Sequence, residues 1–173
     1  MKPFETTSAK FERPGAPERR SGLTLPQLED RIFTVMVAGE RFGIPVACVH
    51  TVFRIETLTP VPLAPPAIAG LVNLRGRIVT AVSLRSRLGL PRALGHEGLA
   101  IGIEHRGEAL ALVVDEAGDV VSLQEAVRID PPRHMPPARA RLTQAIFHTQ
   151  EGLLCILDMA AVFDLSPEHA VAA

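Results

Sequence analysis

The chain has 173 residues, of which 47% are apolar and 21% charged, and its formal net charge at pH 7 is -1. These are the values of an ordinary globular protein, and a charge so close to zero argues against binding to nucleic acid. Trp and Tyr are absent, which argues against a stacking platform for single-stranded nucleic acid. No apolar run approaches the roughly 18 residues of a membrane span, so direct membrane insertion is not expected.

Residues that could carry chemistry are scattered along the chain. Cys48 and Cys155 lie far apart in apolar runs, which predicts buried free thiols and a reducing cytoplasmic setting. None of the six histidines pairs with another at metal-ligand spacing. There is also no nucleophile elbow, dinucleotide fingerprint or phosphate-binding loop. The sequence therefore predicts no catalysis, no metal and no cofactor.

The chain divides into an arm, a domain and a tail. Residues 1–30 are rich in Pro, Ser, Thr, Glu and Arg and have no sustained apolar period, which predicts a disordered arm. A short helix over residues 25–30, or a segment that docks elsewhere, is the alternative. Residues 31–165 form the predicted domain, and residues 166–173 a frayed tail.

Short apolar runs separated by turns predict a series of β-strands in this domain. The strands are expected at residues 32–37, 42–46, 99–105, 108–114 and 120–123, with a short helix or bent strand at 46–53. Pro-rich connections are predicted over 58–66 and 131–140, a surface loop over 91–98, and a turn with solvated acids over 115–119. Pro45 indicates that the second strand is an edge strand or carries a bulge.

The stretch from Ile68 to Leu90 carries the clearest pattern. Two apolar runs flank Arg75-Gly76, which predicts an antiparallel hairpin because glycine accepts the positive φ of a tight turn. A helix is expected over residues 84–88, ending at Gly89. Four arginines between Arg75 and Arg87 form either a solvated basic face or a contact surface for an acidic partner. Arg75 itself either fixes the hairpin tip through its guanidinium group or contacts a partner.

An internal repeat is visible in the order of these elements. Residues 39–44 match 107–112, and residues 70–84 match 145–159, where strand, polar tip, strand and helical turn recur. Many short strands with Gly and Pro turns imply closed or sandwiched β-structure. The sequence therefore predicts an all-β protein with short helices, built as two small barrels that share one continuous core and divide near residues 91–98.

The stretch from Arg41 to Leu90 resembles the CheW-like domain family. The resemblance is carried by GIPV, VxxV, LTPVP, IxGxVNLRG and LRxRLGL, and it continues through ALVVDEAGDVVSL and LTQAIFHTQEGLLCILDM. It implies two intertwined five-stranded SH3-like barrels without enzymatic activity. Members are adaptors that join the cytoplasmic tips of methyl-accepting chemoreceptors to the regulatory domain of the histidine kinase CheA, within membrane-associated arrays.

The resemblance also implies where partners bind. It places the receptor surface in a groove between the two barrels and the kinase surface at one end of a barrel. On this chain the receptor surface carries over to Val49, Val52, Gly70, Asn73, Leu74 and Arg75, and the neighbouring partner-binding positions are Thr51, Gly76 and Arg77. The resemblance assigns no individual residues to the kinase surface.

The chain departs from the family pattern at three positions. Thr51 and Ser83 stand where many members have an acidic residue, and Ala145 replaces a glycine of the second hairpin. The hydroxyl of Ser83 is still expected to cap the following helix. The departures leave the predicted fold intact and bear on the choice of partner. Because barrel mouths can hold ligands, a small-ligand or nucleic-acid binding β-barrel module is the alternative function.

Overall fold

A computed structural model describes residues 30–91 and 98–166. The predicted arm with its alternative helix, most of the loop at 91–98 and nearly all of the predicted tail lie outside the described residues. The strands are β1 (Arg31–Val37), β2 (Glu40–Pro45), β3 (Val49–Arg54), β4 (Ile68–Leu74), β5 (Arg77–Ser83), β6 (Leu99–His105), β7 (Glu108–Val114), β8 (Glu116–Ser122), β9 (Val127–Ile129), β10 (Thr143–Thr149) and β11 (Gly152–Leu157). The helices are α1 (Leu84–Arg87), α2 (Pro137–Leu142) and α3 (Met159–Phe163), and a 3₁₀ turn spans Val46–Cys48.

The strands form two sheets. One is a six-stranded sheet in the order β8-β1-β2-β11-β10-β9, and the other is five-stranded in the order β3-β6-β7-β5-β4. Neighbouring strands are antiparallel except for β2 with β11 and β5 with β7. The predicted all-β class with short helices and two subdomains is confirmed. The first sheet has one strand more than expected because the short strand β9 pairs with β10.

Apart from β9, the two sheets have the same topology, and each contains strands from both halves of the chain. Hairpin β1–β2 pairs with β8 and β11, whereas hairpin β6–β7 pairs with β3 and β5. The sequence repeat therefore marks equivalent strands, and the two repeats have exchanged their first hairpins. For this reason the predicted division near residues 91–98 is wrong, since β5 before it and β6 after it lie in one sheet.

The six-stranded sheet curls until its edges meet. Ser122 ends β8 at one edge, and Val127 begins β9 at the other. A flat sheet of this width would separate its edges by about 24 Å, whereas the connecting residues reach at most about 18 Å. The connection is in fact a tight turn, in which the Ala126 amide donates to the Leu123 carbonyl at 3.0 Å. The sheet is therefore barrel-like.

Apolar side chains form a shared core between the sheets and a smaller cluster inside each. The shared core includes Val35 and Phe42 from the six-stranded sheet, and Ile101 and Leu112 from the five-stranded sheet. The cluster within the five-stranded sheet contains Ile55, Val72, Val79, Ala81, Ala100 and Ala111, and that within the six-stranded sheet contains Ile32, Leu123, Ala145, Leu154 and Ile156. The prediction of a continuous core is thus confirmed at the interface between the two sheets.

The predicted turn at residues 115–119 is wrong, since Glu116–Asp119 belong to β8. Their polar side chains are exposed because β8 is an edge strand. Pairing with β1 holds the strand in place, and the Thr34 hydroxyl donates to the Asp119 carbonyl at 2.9 Å. The predicted strand at residues 120–123 overlaps the end of β8, whereas Glu116–Asp119 lack the apolar alternation that would reveal a strand in the sequence.

Proline misled two further predictions. Pro45 does not mark an edge strand, because β2 lies between β1 and β11, and Pro45 is simply its last residue. Within the predicted Pro-rich connection at 131–140, α2 begins at Pro137. Proline is well suited to the first turn of a helix because its φ is already helical and no intrahelical donor is needed there.

Candidate partner-binding groove

The tip of hairpin β4–β5 is a rigid two-residue turn. Leu74 pairs with Arg77 across it, and Arg75 and Gly76 have φ values of 53° and 85°. Two left-handed residues in succession are what a type I′ turn requires. The Asn73 side-chain oxygen also accepts a hydrogen bond from the Gly76 amide at 2.8 Å. The predicted hairpin is therefore confirmed, with its tip fixed by local geometry.

A groove of about 630 Å³ extends from this tip to β3. Because β3 and β4 are the two edge strands of the five-stranded sheet, the groove is the seam between the edges of that sheet. We call it the seam groove. Its lining residues are Thr51, Val52, Phe53, Arg54, Ile55, Glu56, Thr57, Val72, Asn73, Leu74, Arg75 and Gly76.

The structure brings most of the predicted partner-binding residues together in the seam groove. Those that line it are Thr51, Val52, Asn73, Leu74, Arg75 and Gly76. Val49 instead packs half-buried against the shared core, and Arg77 is exposed next to the groove. The resemblance implied a groove between the barrels for receptor binding, whereas these residues lie at the seam of one sheet.

Gly70 is buried and has a structural role. Its φ is +155°, and an added Cβ would lie 2.5 Å from the Thr59 carbonyl oxygen and 3.0 Å from a methyl carbon of Leu58. Thr59 and Leu71 exchange two backbone hydrogen bonds of 2.9 and 2.7 Å beside it. Gly70 thus allows the chain after β3 to approach β4, and it offers no side chain to a partner.

The seam groove contains residues that were not predicted to contribute to it. Phe53, Arg54, Glu56 and Thr57 line it because the end of β3 and the following segment form its second wall. The alternation of half-buried and exposed residues along β3 predicts which side chains are accessible. It does not predict that β3 faces β4, because strand order depends on the exchanged hairpins.

The charges around the groove are predominantly positive. Arg54, Arg75 and Arg77 are exposed there, with Glu56 as the acidic counterpart. Within the described part of the chain, none of these three arginines forms an ion pair or a side-chain hydrogen bond. The interpretation that Arg75 fixes the hairpin tip therefore finds no support, and its guanidinium group is available to a partner.

Arg85 is part of the structural framework. Its Nε and Nη2 atoms donate to the two carboxylate oxygens of Asp115 at 2.8 and 2.7 Å, and this pairing raises the pKa of Arg85. Asp115 also accepts from the Ala38 amide at 2.7 Å. The carboxylate therefore joins α1 to the β1–β2 turn, and it is not the solvated turn acid that was predicted.

Arg87 is also structural. It is buried, its Nη2 donates to the Ala161 carbonyl of α3 at 2.6 Å, and burial lowers the pKa of Arg87. The prediction that the four arginines form one face is therefore wrong, since only Arg75 and Arg77 present their charge at the hairpin tip. Ser83 does cap α1 as predicted, because its hydroxyl oxygen accepts from the Ser86 amide at 3.2 Å.

A second opening of about 780 Å³ lies between the five-stranded sheet and α3, which follows the six-stranded sheet. Its walls include Thr80 and Leu110 on one side and Phe163 on the other, and the His105 and Phe163 rings lie 5.7 Å apart. We call it the inter-sheet cleft. None of the predicted partner-binding residues lines it.

Both cysteines are free thiols, as predicted. Cys155 is buried and Cys48 half-buried, and burial raises the pKa of the Cys155 thiol. Within residues 30–91 and 98–166, no group of three or more His, Cys, Asp or Glu side chains is placed to hold a metal ion. In the same residues, no helix is long and apolar enough to cross a membrane.

Comparisons with known proteins agree with this architecture. Residues 31–166 match the family model for the CheW-like domain. Chemotaxis protein CheW of Bacillus subtilis is 31% identical over 136 residues, which cover 78% of this chain and 87% of that protein. Chemotaxis protein CheW of Klebsiella aerogenes is 29% identical over 159 residues, which cover 86% of this chain and 94% of that protein. The crystal structure of scaffolding protein TtCheW from Thermoanaerobacter tengcongensis superposes with a TM-score of 0.67 at 23% identity and covers 79% of this chain and 94% of that one. The family match and the Bacillus subtilis relative together show that this chain belongs to the CheW-like domain family.

Proposed function

We propose that this protein is a non-catalytic adaptor that couples methyl-accepting chemoreceptors to a CheA-type histidine kinase. A chemotaxis scaffold role follows from its family and from the curated relatives named chemotaxis protein CheW. The proposal that it couples receptors to the kinase rests on one observation. The domain has two separate openings, the seam groove and the inter-sheet cleft. An adaptor needs two such surfaces, since it must hold two partners at once.

The seam groove is the proposed surface for the regulatory domain of the kinase. The family resemblance places kinase contacts at one end of a barrel, and the hairpin tip with its groove occupies one end of the five-stranded sheet. The inter-sheet cleft is the proposed surface for the receptor tip, because the resemblance places receptor contacts between the barrels. The resemblance implied that Asn73, Leu74 and Arg75 contact the receptor, whereas this proposal assigns them to the kinase.

The composition of the seam groove suits a protein partner. Val52 is 40% exposed and supplies apolar area, and Arg75 supplies a charged fork that can bind a carboxylate with two hydrogen bonds. Arginine anchors beside apolar residues are typical of the residues that dominate binding energy. We propose that the protein is cytoplasmic and that binding to the receptor and the kinase holds it at membrane-associated arrays.

The variant Arg75→Ala tests this assignment. We expect its affinity for the kinase regulatory domain to fall about tenfold or more, since a charge-assisted hydrogen bond to a partner is worth about 1.5–3 kcal/mol. Affinity for a receptor tip fragment should stay within about twofold. Both affinities are measured by titration calorimetry, with Arg128→Ala on exposed β9 as the matched control. Equal loss for both partners, or loss for the receptor alone, would overturn the assignment, and a native chain that binds neither partner would end the adaptor proposal.

A further inference from the structure

The two walls of the seam groove present backbone groups that point away from their own sheet. The Ile55 amide donates to the Gly98 carbonyl at 2.8 Å, so the alternation of an antiparallel pair turns the backbone groups of Val52 and Arg54 away from β6. On the opposite wall, the backbone groups of Leu71 point away from β5 and bond to Thr59. Because this direction repeats at every second residue of a strand, the backbone groups of Asn73 point away from β5 as well. Among the described residues, no backbone hydrogen bond reaches these outward groups of Val52, Arg54 or Asn73.

The other sheet shows what can fill the equivalent position. Hairpin β10–β11 corresponds to β4–β5, and β9 lies along its outer edge with Ile129 opposite Ile146 and Val127 opposite His148. The internal repeat matches residues 70–84 with residues 145–159, so Leu71 and Asn73 correspond to Ile146 and His148. Leu71 has its partner in Thr59, but within residues 30–91 and 98–166 no residue takes the place of Val127 opposite Asn73. The equivalent opening beside β10–β11 measures only about 170 Å³, compared with about 630 Å³ for the seam groove.

We infer that the seam groove binds an extended segment of the partner protein, which adds as a short strand between β3 and β4. Its backbone would pair with Val52 and Arg54 on one side and with Asn73 on the other. This inference rests on the proposed function in taking the groove as a partner surface, and it adds the form of the ligand. Strand addition to an exposed edge is an established mode of peptide recognition, in which the main chain supplies much of the affinity.

The charges specify the sequence of such a segment. Arg54 and Arg75 lie on opposite walls and Glu56 offers only one acidic group, so the groove favours an acidic side chain on the incoming strand. Alternate residues of the strand would face outward or toward Phe53 and Leu74, which favours small apolar residues at the inward positions. The ligand is therefore an extended segment in which apolar residues alternate with polar ones and at least one is acidic.

A synthetic peptide tests the inference on the full chain. The peptide copies residues 123–130, LQEAVRID, which contain β9 and two acidic residues. Amide shifts and amide hydrogen exchange are followed by NMR as the peptide is added at millimolar concentration. In the free protein, the amides of Val52, Arg54 and Asn73 should exchange rapidly, while that of Ile55 should be protected. With peptide, exchange at the three outward amides should slow at least tenfold.

The control peptide has the same sequence with N-methyl groups at alternate amides, which blocks ladder formation without changing its side chains. It should leave the three amides unchanged. Equal protection by both peptides, protection only along β10, or no protection would overturn strand addition. The kinase regulatory domain provides an independent arm of the test. If it binds the chain while the outward amides still exchange rapidly, strand addition fails and the adaptor proposal stands, whereas the absence of any complex removes the adaptor proposal itself.

Discussion

Substitution of Gly70 by alanine tests how the seam groove is built. The new methyl group would lie 2.5 Å from the Thr59 carbonyl oxygen, which is closer than any real Cβ contact, and the φ of +155° is unfavourable for a residue with a side chain. A backbone oxygen cannot rotate away as a flexible side chain can. The segment that contains Thr59 must therefore move off β4.

The expected cost has two parts. A non-glycine residue in this backbone region costs about 1–3 kcal/mol, and loss of the paired hydrogen bonds between Thr59 and Leu71 adds about 0.5–1.5 kcal/mol for each bond. We therefore expect Gly70→Ala to lower the free energy of unfolding by about 3 kcal/mol. Gly76→Ala is the matched control, since its φ is +85° but no atom of the described residues lies within 4 Å of its added methyl group. Backbone strain alone should cost that variant about 1–2 kcal/mol.

Urea unfolding of the full-length chain measures both values. In addition, amide exchange at Leu71 should quicken in Gly70→Ala and remain unchanged in Gly76→Ala, because only the first substitution displaces Thr59. If Gly70→Ala proves as stable as the native chain, or no less stable than Gly76→Ala, the close approach at β4 does not support the groove and this reasoning is wrong.

Three further predictions concern single side chains. Leu63 is fully exposed with a φ of 60°, so Leu63→Gly should raise the free energy of unfolding by roughly 0.5–1 kcal/mol in urea titrations, and a loss of stability would contradict this. Asp115→Ala should cost about 2 kcal/mol in the same assay because Arg85 loses its carboxylate partner, whereas the exposed Asp130→Ala should change little. Since burial raises the pKa of Cys155, the unfolded chain loses this proton first, and stability should decline as pH rises above the ordinary thiol value of 9.0. Cys155→Ala should lack that component of the decline, and an identical pH profile in the variant would show that the thiol is not the cause.

Local patterns in the sequence predicted the hairpins well. Apolar alternation and the Arg75-Gly76 step fix β4 and β5, and the same reasoning places β6 with β7 and β10 with β11. These signals are local, since they depend on neighbouring residues and on turns that only a few residue types can form. The short helices α1 and α3 were also predicted, and the cap at Ser83 was part of that prediction, whereas the cap that Asp158 supplies to α3 was not.

The order of strands within the sheets could not be predicted in this way. Hairpin β1–β2 joins the sheet formed mainly by the second half of the chain, and no local signal in the sequence records that exchange. Consequently the family resemblance predicted only part of the groove lining, namely Thr51, Val52 and the hairpin tip, and it did not predict the position of the groove at a seam. Gly70 illustrates the limit, because a glycine at a partner surface and a glycine under a backbone oxygen look alike in a sequence.

The central claim is that this chain holds two proteins at once, and one measurement tests it most directly. Analytical ultracentrifugation of the chain with the kinase regulatory domain and a receptor tip fragment should show a single ternary species. Its formation should be weakened by Arg75→Ala and unaffected by Arg128→Ala. If the two partners compete for the chain, so that only binary complexes sediment, the account of two separate surfaces is contradicted.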